Sequence, residues 1–201
     1  MKKILVLVAA AMMAVVNVNA QEDYESMKHE IAVSYGALSN STWMAIGDDI
    51  GTSFITLGNV RYDDGKFFGP LALEYFYHLD PLVGIGAIGL YAQEKKDLFI
   101  KNDIIGEAKN TYLTILPAAK FNWLRKKYFG LYSKVGAGIS FRSQKEDYKS
   151  SDHDDVSKSD VFFSWQVSAI GIEAGSANIR AFTEFGIGEQ GMALGGIRVK
   201  F

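Results

Sequence analysis

Three histidines are the side chains best suited to act as a general base near neutral pH, so their placement bears on whether the chain is a hydrolase. Acyl transfer or hydrolysis needs a histidine close to a nucleophile and a carboxylate. His29 and His78 fall at one end of the predicted strands, whereas His153 falls in a polar loop. Glu74 shares a strand with His78 but lies ~13 Å along it. This spacing predicts a protein that is not an enzyme.

A polar run near position 150 offers oxygen ligands of the kind that calcium prefers. Its members are Glu146, Asp147, Asp152, His153, Asp154, Asp155 and Asp160. Their spacing departs from the order of an EF-hand loop, and Lys145, Lys149 and Lys158 compete for the same carboxylates. We interpret the run as a solvated surface loop and predict no metal site, with a divalent-cation site as the alternative.

Two segments, 84–89 and 186–191, match the glycine pattern of dinucleotide-binding loops. Neither precedes an amphipathic helix or belongs to a βαβ unit, so we predict no nucleotide and no other cofactor. The chain also contains no cysteine, which excludes cysteine-ligated zinc and disulfide bonds.

Composition and charge exclude further classes of function. Of the 201 residues, 48% are hydrophobic and 22% are charged, and the formal net charge is −2. This balance lacks the clustered excess of Lys and Arg that binds nucleic acid. Beyond the N-terminus no run of about 18 apolar residues remains, so a helical membrane protein is not expected.

The first twenty residues have the three parts of a secretory signal peptide. Lys2 and Lys3 form a positive start, residues 4–16 are apolar, and Val18-Asn19-Ala20 forms a small-residue cleavage site. We therefore predict a cleaved signal peptide at 1–20 and one exported domain at 21–201.

An apolar-Gly-apolar triplet recurs roughly every 50 residues in this domain, at Tyr35, Val83, Val135 and Phe185. Each copy lies in a run that alternates between apolar and small or polar residues, and a second such run follows it. Alternation of this kind is typical of β-strands with two different faces. The sequence thus predicts eight strands, at about 29–38, 68–79, 82–93, 111–123, 128–142, 161–172, 178–188 and 192–201.

The connections between these strands alternate in length. Long polar segments are predicted at 39–67, 94–110 and 143–160, and short ones at 80–81, 124–127 and 173–177. This asymmetry is typical of an up-and-down barrel with two unlike ends. In the first long loop, Trp43, Ile46, Ile50 and Phe54 fit one face of a short helix; an added hairpin, giving ten strands, is the alternative.

The two strand faces differ in chemistry. One face is apolar and includes Leu73, Tyr75, Phe121, Val135, Ile139, Phe163, Trp165 and Ile197. The other combines small residues with a few charged or ionisable ones: Glu30, Glu74, His78, Lys120, Lys134, Arg142, Arg180, Glu184, Arg198 and Lys200. Because side chains fill an eight-stranded barrel and each buried charge needs a partner, this second face suits the interior. We therefore predict a polar network in the lumen.

With the polar face inside, the apolar face points outward and requires lipid. The sequence thus predicts an all-β, eight-stranded, antiparallel up-and-down transmembrane barrel. We expect it in the outer membrane of a Gram-negative cell, with its N-terminus in the periplasm. The alternative is a soluble, lipocalin-like carrier of a small apolar ligand, which would turn Tyr75, Phe121 and Trp165 inward.

Three segments carry a resemblance to a known family. They are Lys120-Phe121-Asn122-Trp123-Leu124, the stretch from Phe129 to Gly138, and the closing stretch from Gly186 to Phe201. In these, and over nearly all of the mature chain, the sequence resembles the small outer-membrane β-barrel proteins of Bacteroides-type bacteria. The resemblance implies a barrel broadly similar to the OmpA-transmembrane and OmpX folds, and no established activity. The terminal Phe201 resembles the C-terminal signal recognised by the barrel-assembly machinery.

The expected function is a structural or surface-interaction role through the extracellular loops. The expected partners are outer-membrane lipid, lipopolysaccharide and the barrel-assembly machinery, with no nucleic acid and an unknown extracellular partner. A narrow channel is the alternative within the membrane. Because the predicted inward face carries six Lys or Arg and three Glu, such a channel would prefer anions.

Overall fold

The computed structural model describes residues 27–37, 39, 61–100, 103–148 and 156–201. These residues form eight antiparallel strands that close into one barrel in sequence order. The strands are β1 (His29–Ala37), β2 (Arg61–His78), β3 (Val83–Ile100), β4 (Asp103–Arg125), β5 (Phe129–Tyr148), β6 (Val156–Gly175), β7 (Ile179–Gly188) and β8 (Ala193–Lys200). Over the same ranges the chain has no helix of the length and hydrophobicity needed to cross a membrane.

The predicted fold class and the number of strands are confirmed. Three predictions fall on residues outside the described ranges: the signal peptide at 1–20, the helix or extra hairpin at 43–54, and most of the acidic run at 152–155.

Two of the predicted long loops are wrong, because strands occupy most of both segments. β3 and β4 continue through most of 94–110, and β5 and β6 continue through much of 143–160. Both faces of these extensions carry polar residues, so the alternation that marks a half-buried strand is missing there. Backbone pairing between neighbouring strands nevertheless continues, from Glu94 opposite Asn110 to Leu98 opposite Gly106.

Large apolar side chains cover the outside of the barrel. Leu73, Leu113 and Phe185 are about half exposed, and the same face includes Ile85, Ile115, Val135, Ile139, Phe163 and Ile197. An outward apolar band around a polar interior is the pattern of a transmembrane β-barrel. The lipocalin-like alternative is wrong in its assignment of faces, because Tyr75, Phe121 and Trp165 are 43%, 43% and 37% exposed.

The interior is divided into an apolar side and a polar side. Inward residues of β2, β3 and β4 form a buried apolar cluster of Ala72, Phe76, Ile88, Leu90 and Leu116. A second cluster joins Ala32, Tyr132, Phe182 and Leu194. The buried charges lie mainly on β1 and on β4 to β8. Side chains therefore fill the lumen, as expected for eight strands.

A β-bulge in β6 determines which of its residues face inward. The pairing with β7 shifts between Ser168 and Ile170, and Ala169 and Ile170 are both exposed. Before the bulge, the inward residues are Ser164, Gln166 and Ser168; after it, they are Gly171 and Glu173. The bulge thus turns Glu173 into the lumen.

Candidate functional site

Glu30 on β1 is one of two carboxylates that bind the cations at one end of the lumen. We call this the short-turn end, because short turns follow β2, β4 and β6 there. Its oxygens accept hydrogen bonds from Lys120 Nζ at 2.7 and 2.9 Å. His78 Nε2 lies 3.3 Å from Glu30 Oε2, and Arg198 Nε lies 3.3 Å from Glu30 Oε1. Glu30 is fully buried, so these contacts replace the water that its charge has lost.

Glu173 on β6 is the second of these carboxylates. Arg180 donates a hydrogen bond of 2.6 Å to one of its oxygens, and Arg198 donates one of 2.6 Å to the other. Lys200 Nζ also donates to Glu173, and Lys120 Nζ lies 3.7 Å from it. Four cations therefore share one buried carboxylate, and three of them, Lys120, Arg198 and Lys200, also lie within 4 Å of Glu30.

A second layer, in the middle of the lumen, is centred on Lys134. Its ammonium group lies 2.9 Å from Glu74 and 2.9 Å from Glu184. Tyr132 donates a hydrogen bond of 2.7 Å to Glu184 and accepts one of 2.9 Å from Arg198. This relay joins the middle layer to the charges at the short-turn end.

The connection between β7 and β8 folds into the barrel and closes the lumen towards the end opposite the short turns. Gln190 donates from its side chain to Glu74 at 2.6 Å and from its backbone to Gln166 Oε1 at 2.8 Å. Glu189 and Gln190 are both buried. Ser164 links this turn to the wall, because its hydroxyl lies 3.4 Å from Glu189 and 2.6 Å from Ser140. The short last loop is therefore an inward plug.

The structure brings most of the predicted lumen residues together. Glu30, Glu74, His78, Lys120, Lys134, Arg180, Glu184, Arg198 and Lys200 are all buried and linked by the contacts above. Arg142 is half-buried and lies eight residues along β5 from Lys134, where it donates to Gln144 at 3.4 Å.

Several buried polar residues were missed in the sequence. The main ones are Glu173, Tyr132 and Gln190, together with Glu94 and Glu189 towards the end opposite the short turns. They change the charge balance, because the buried set among the described residues has six Glu against five Lys or Arg. The expected excess of positive charge, on which the anion preference of a channel rested, is therefore absent from this part of the chain.

Phe201 lies at the seam where β1 meets β8, at the short-turn end. Its ring stacks on His29 with a centroid separation of 5.3 Å, and the two residues exchange backbone hydrogen bonds of 2.8 and 2.9 Å. Tyr77 is 5.2 Å from the same imidazole. The last residue of the chain is thus part of the barrel wall.

At the opposite end, five strands extend past the other three. Within the described ranges, residues 61–68 of β2 pair only with β3, and residues 156–164 of β6 pair only with β5. We call these two segments, with the parts of β3, β4 and β5 that lie between them, the projection. In the part of the chain that the structure describes, its two sides are sheet edges, which present backbone N–H and C=O groups for pairing.

Comparison with known proteins finds similarity to solved structures alone. No protein-family model matches the chain, and no curated protein matches it. Among solved structures it is similar to two crystal structures of Ail, the attachment invasion locus protein of Yersinia pestis. One, in complex with the heparin analogue sucrose octasulfate, is 16% identical with a TM-score of 0.44, covering 87% of this chain and 100% of that chain. The other is 17% identical with a TM-score of 0.39, covering 87% and 97%. The fold assignment accordingly rests on the strand register of the chain itself.

Proposed function

We propose that the chain is a non-enzymatic β-barrel of the outer membrane of a Gram-negative cell, and that its projection binds a partner outside the cell. The leader at 1–20 is removed on export in this proposal, and the N-terminus of the barrel lies in the periplasm. The apolar band and the filled lumen support a membrane-embedded structural body. The end that carries the projection is then the extracellular end, because the short turns after β2, β4 and β6 lie at the opposite end and short turns face the periplasm in such barrels.

The edge of the projection, which has no partner strand among the described residues, is the observation that carries the binding role. Residues 156–164 of β6 provide about 30 Å of strand with a neighbour on one side only among the described residues. An extended segment of a partner protein adds to such an edge through backbone hydrogen bonds, and its side chains supply the specificity. A fully closed barrel without the projection would have no such edge.

The other proposed partners belong to the membrane and to assembly. Outer-membrane lipid, with lipopolysaccharide in its outer leaflet, contacts the apolar band. The barrel-assembly machinery reads the C-terminal strand that ends in Phe201, whose ring packs at the β1–β8 seam.

Location and orientation are tested by labelling single cysteines, which the cysteine-free chain makes straightforward. Lys158→Cys lies on the projection and Lys127→Cys in a short turn, and both positions are exposed. On intact cells, a membrane-impermeant maleimide should label the first variant and should label the second only after the outer membrane is opened. Labelling of Lys127→Cys on intact cells, or of neither variant until the outer membrane is opened, contradicts the proposed topology.

Strand addition is tested by placing proline at neighbouring positions of the edge. Adjacent residues direct their N–H groups to opposite sides of a strand. One of the two variants Ser159→Pro and Asp160→Pro therefore removes an N–H group at the open edge and leaves the hydrogen bonds to β5 intact, whereas the other removes an N–H group on the β5 side. We expect the variant that keeps its heat-modifiable gel migration to lose binding of partner proteins to intact cells. Unchanged binding by that variant rules out this edge.

A further inference from the structure

A row of lysines crosses four strands of the projection. The register places Lys66 opposite Lys95, Lys95 opposite Lys109, and Lys109 opposite Lys145. Neighbouring strands lie ~4.8 Å apart, so this lysine row extends over ~14 Å. The side chains of Lys95, Lys109 and Lys145 are exposed.

Such a row is unfavourable for the sheet on its own. Like charges that lie directly opposite on neighbouring strands repel one another and weaken the pairing. An anion bound along the row would relieve this repulsion, because it interacts with several ammonium groups at once. The arrangement therefore favours a ligand that carries more than one negative charge.

The row lies next to the outer border of the apolar band. Leu113 lies four positions from Lys109 on β4, and Phe141 lies four positions from Lys145 on β5, in both cases towards the barrel. Both side chains are exposed on the outside. Residues four apart share a strand face and are separated by ~13 Å. Long lysine side chains at such a border extend their ammonium groups to the level of lipid headgroups.

An acidic row lies two positions further from the barrel. There the register pairs Asp63 with Asp97, Asp97 with Glu107, and Glu107 with Asp147. A soluble polyanion that approaches from the loop end would meet these acidic positions first. A phosphate group held in the membrane leaflet meets the lysine row first, so the order of charges favours a membrane-bound anion.

We infer that the lysine row binds the phosphate groups of an anionic lipid in the leaflet that surrounds the base of the projection. This inference rests on the membrane location proposed above and adds a lipid contact to it that does not depend on the extracellular partner. The lipid phosphates bridge ammonium groups on neighbouring strands, and the acyl chains pack on the apolar band below.

The test compares two triple variants of the full mature chain, purified in neutral detergent. Lys95→Gln/Lys109→Gln/Lys145→Gln removes three charges from the row. Lys28→Gln/Lys126→Gln/Lys127→Gln removes three exposed charges at the short-turn end and is the matched control. Native mass spectrometry measures how much protein retains bisphosphorylated lipid A, dephosphorylated lipid A or the soluble polyanion inositol hexakisphosphate.

We expect the row variant to bind bisphosphorylated lipid A about tenfold more weakly or worse, and the control to bind within about twofold of the original chain. Dephosphorylated lipid A should not distinguish the variants. Equal lipid A binding by the row variant and the original chain overturns the inference. So does tight, row-dependent binding of inositol hexakisphosphate, which would assign the site to a soluble ligand. Heat-modifiable migration establishes that both variants are folded, and because the assay uses detergent, it is independent of the cysteine-labelling result on location.

Discussion

Arg198 makes a combination of contacts in the lumen that suits the planar guanidinium group of an arginine. Its guanidinium donates to Glu173 at 2.6 Å and to Tyr132 at 2.9 Å. The same group lies 4.4 Å from the ring centre of Tyr132 and 4.1 Å from that of Phe182. A planar cation can stack on rings while donating in its own plane, which an ammonium group cannot do. Arg198 thus connects the charged cluster to the apolar packing of the lumen.

Replacing Glu173 tests how far one carboxylate supports the cluster. Glu173→Ala leaves Arg180, Arg198 and Lys200 without their shared acceptor inside the barrel, and we expect a loss of about 3–5 kcal/mol in the free energy of unfolding. Urea titration followed by heat-modifiable migration measures it. Asp160→Asn is the control, because its pair with Lys158, at 4.0 Å, is exposed and contributes about 0–1 kcal/mol. Similar losses in the two variants would show that the buried cluster contributes no more than a surface pair.

Ser133 gives a second prediction, on the outside of the barrel. Its hydroxyl accepts a hydrogen bond of 2.7 Å from Trp123 Nε1 and donates one of 2.7 Å to the carbonyl of Ala169 in the β6 bulge. In lipid no water can replace these partners. We expect Ser133→Ala to lose about 1–3 kcal/mol of unfolding free energy in bilayers. Ser159→Ala, on the projection, should change it little, and an equal effect of both would contradict the assigned role.

Glu173 also shows why part of the network could not be predicted from the sequence. The predicted strand ends at 172, so the sequence predicts Glu173 in the turn that follows; continuing the alternation of β6 up to Val167 would place it outside, with the other odd-numbered residues. The bulge at Ala169 reverses this alternation, and nothing in the local residue pattern marks its position. By contrast, Lys134 and Arg198 lie on strands whose alternation continues past them unbroken, so their inward orientation could be read from the pattern.

Among the elements, the β7–β8 turn has a strict backbone requirement at Gly191. Gly191 has φ of +107°, a conformation that residues with a side chain rarely adopt. A Cβ atom there would also collide with the backbone of Ala37 on β1. This close approach seats the turn against β1, where Met192 donates a backbone hydrogen bond of 2.8 Å to the carbonyl of Ala37.

Alanine substitution at two glycines tests this requirement. Gly191→Ala should destabilise the barrel by about 1–3 kcal/mol because it combines backbone strain with a backbone collision. Gly89→Ala should be tolerated, since the nearest atom to its Cβ would be a carbonyl oxygen of Leu73 at 3.9 Å. The urea midpoint of heat-modifiable migration measures both effects. A Gly191→Ala variant as stable as Gly89→Ala would show that the turn adjusts without cost.

The strands themselves were predictable only where a lipid-facing residue marks every second position. β5 from Phe129 to Phe141 has such residues, and the predicted boundary at 142 coincides with the point where they stop. Beyond it the strand continues, but polar residues such as Lys145 and Asp147 take the alternate positions that apolar residues occupy before it. Pairing with β4 and β6 holds this part in place, and that information lies in neighbouring strands rather than in the local sequence.

At the scale of the whole molecule, the barrel wall and its contents form one packed unit. Lys134 connects β5 to β2 and β7 through Glu74 and Glu184, and Arg198 connects β8 to β6 through Glu173. Contacts across the lumen therefore join strands that are not neighbours in the wall. The same contacts take up the space that ions would need.

This filling leads to the last prediction, which concerns conduction. An ion that crosses the lumen has to pass the Gln190 turn, the Lys134 layer and the Glu30–Glu173 cluster, and each consists of buried side chains already bonded to one another. Opening any of them would separate buried charges from their partners, which costs several kcal/mol. Purified protein in a planar bilayer should therefore give no stable conductance steps in concentrated potassium chloride. Steady steps would contradict a filled lumen. Among the described residues, the six buried Glu and five buried Lys or Arg give no excess of positive charge, so they predict no preference for anions. Steps that favoured anions would contradict this second expectation as well.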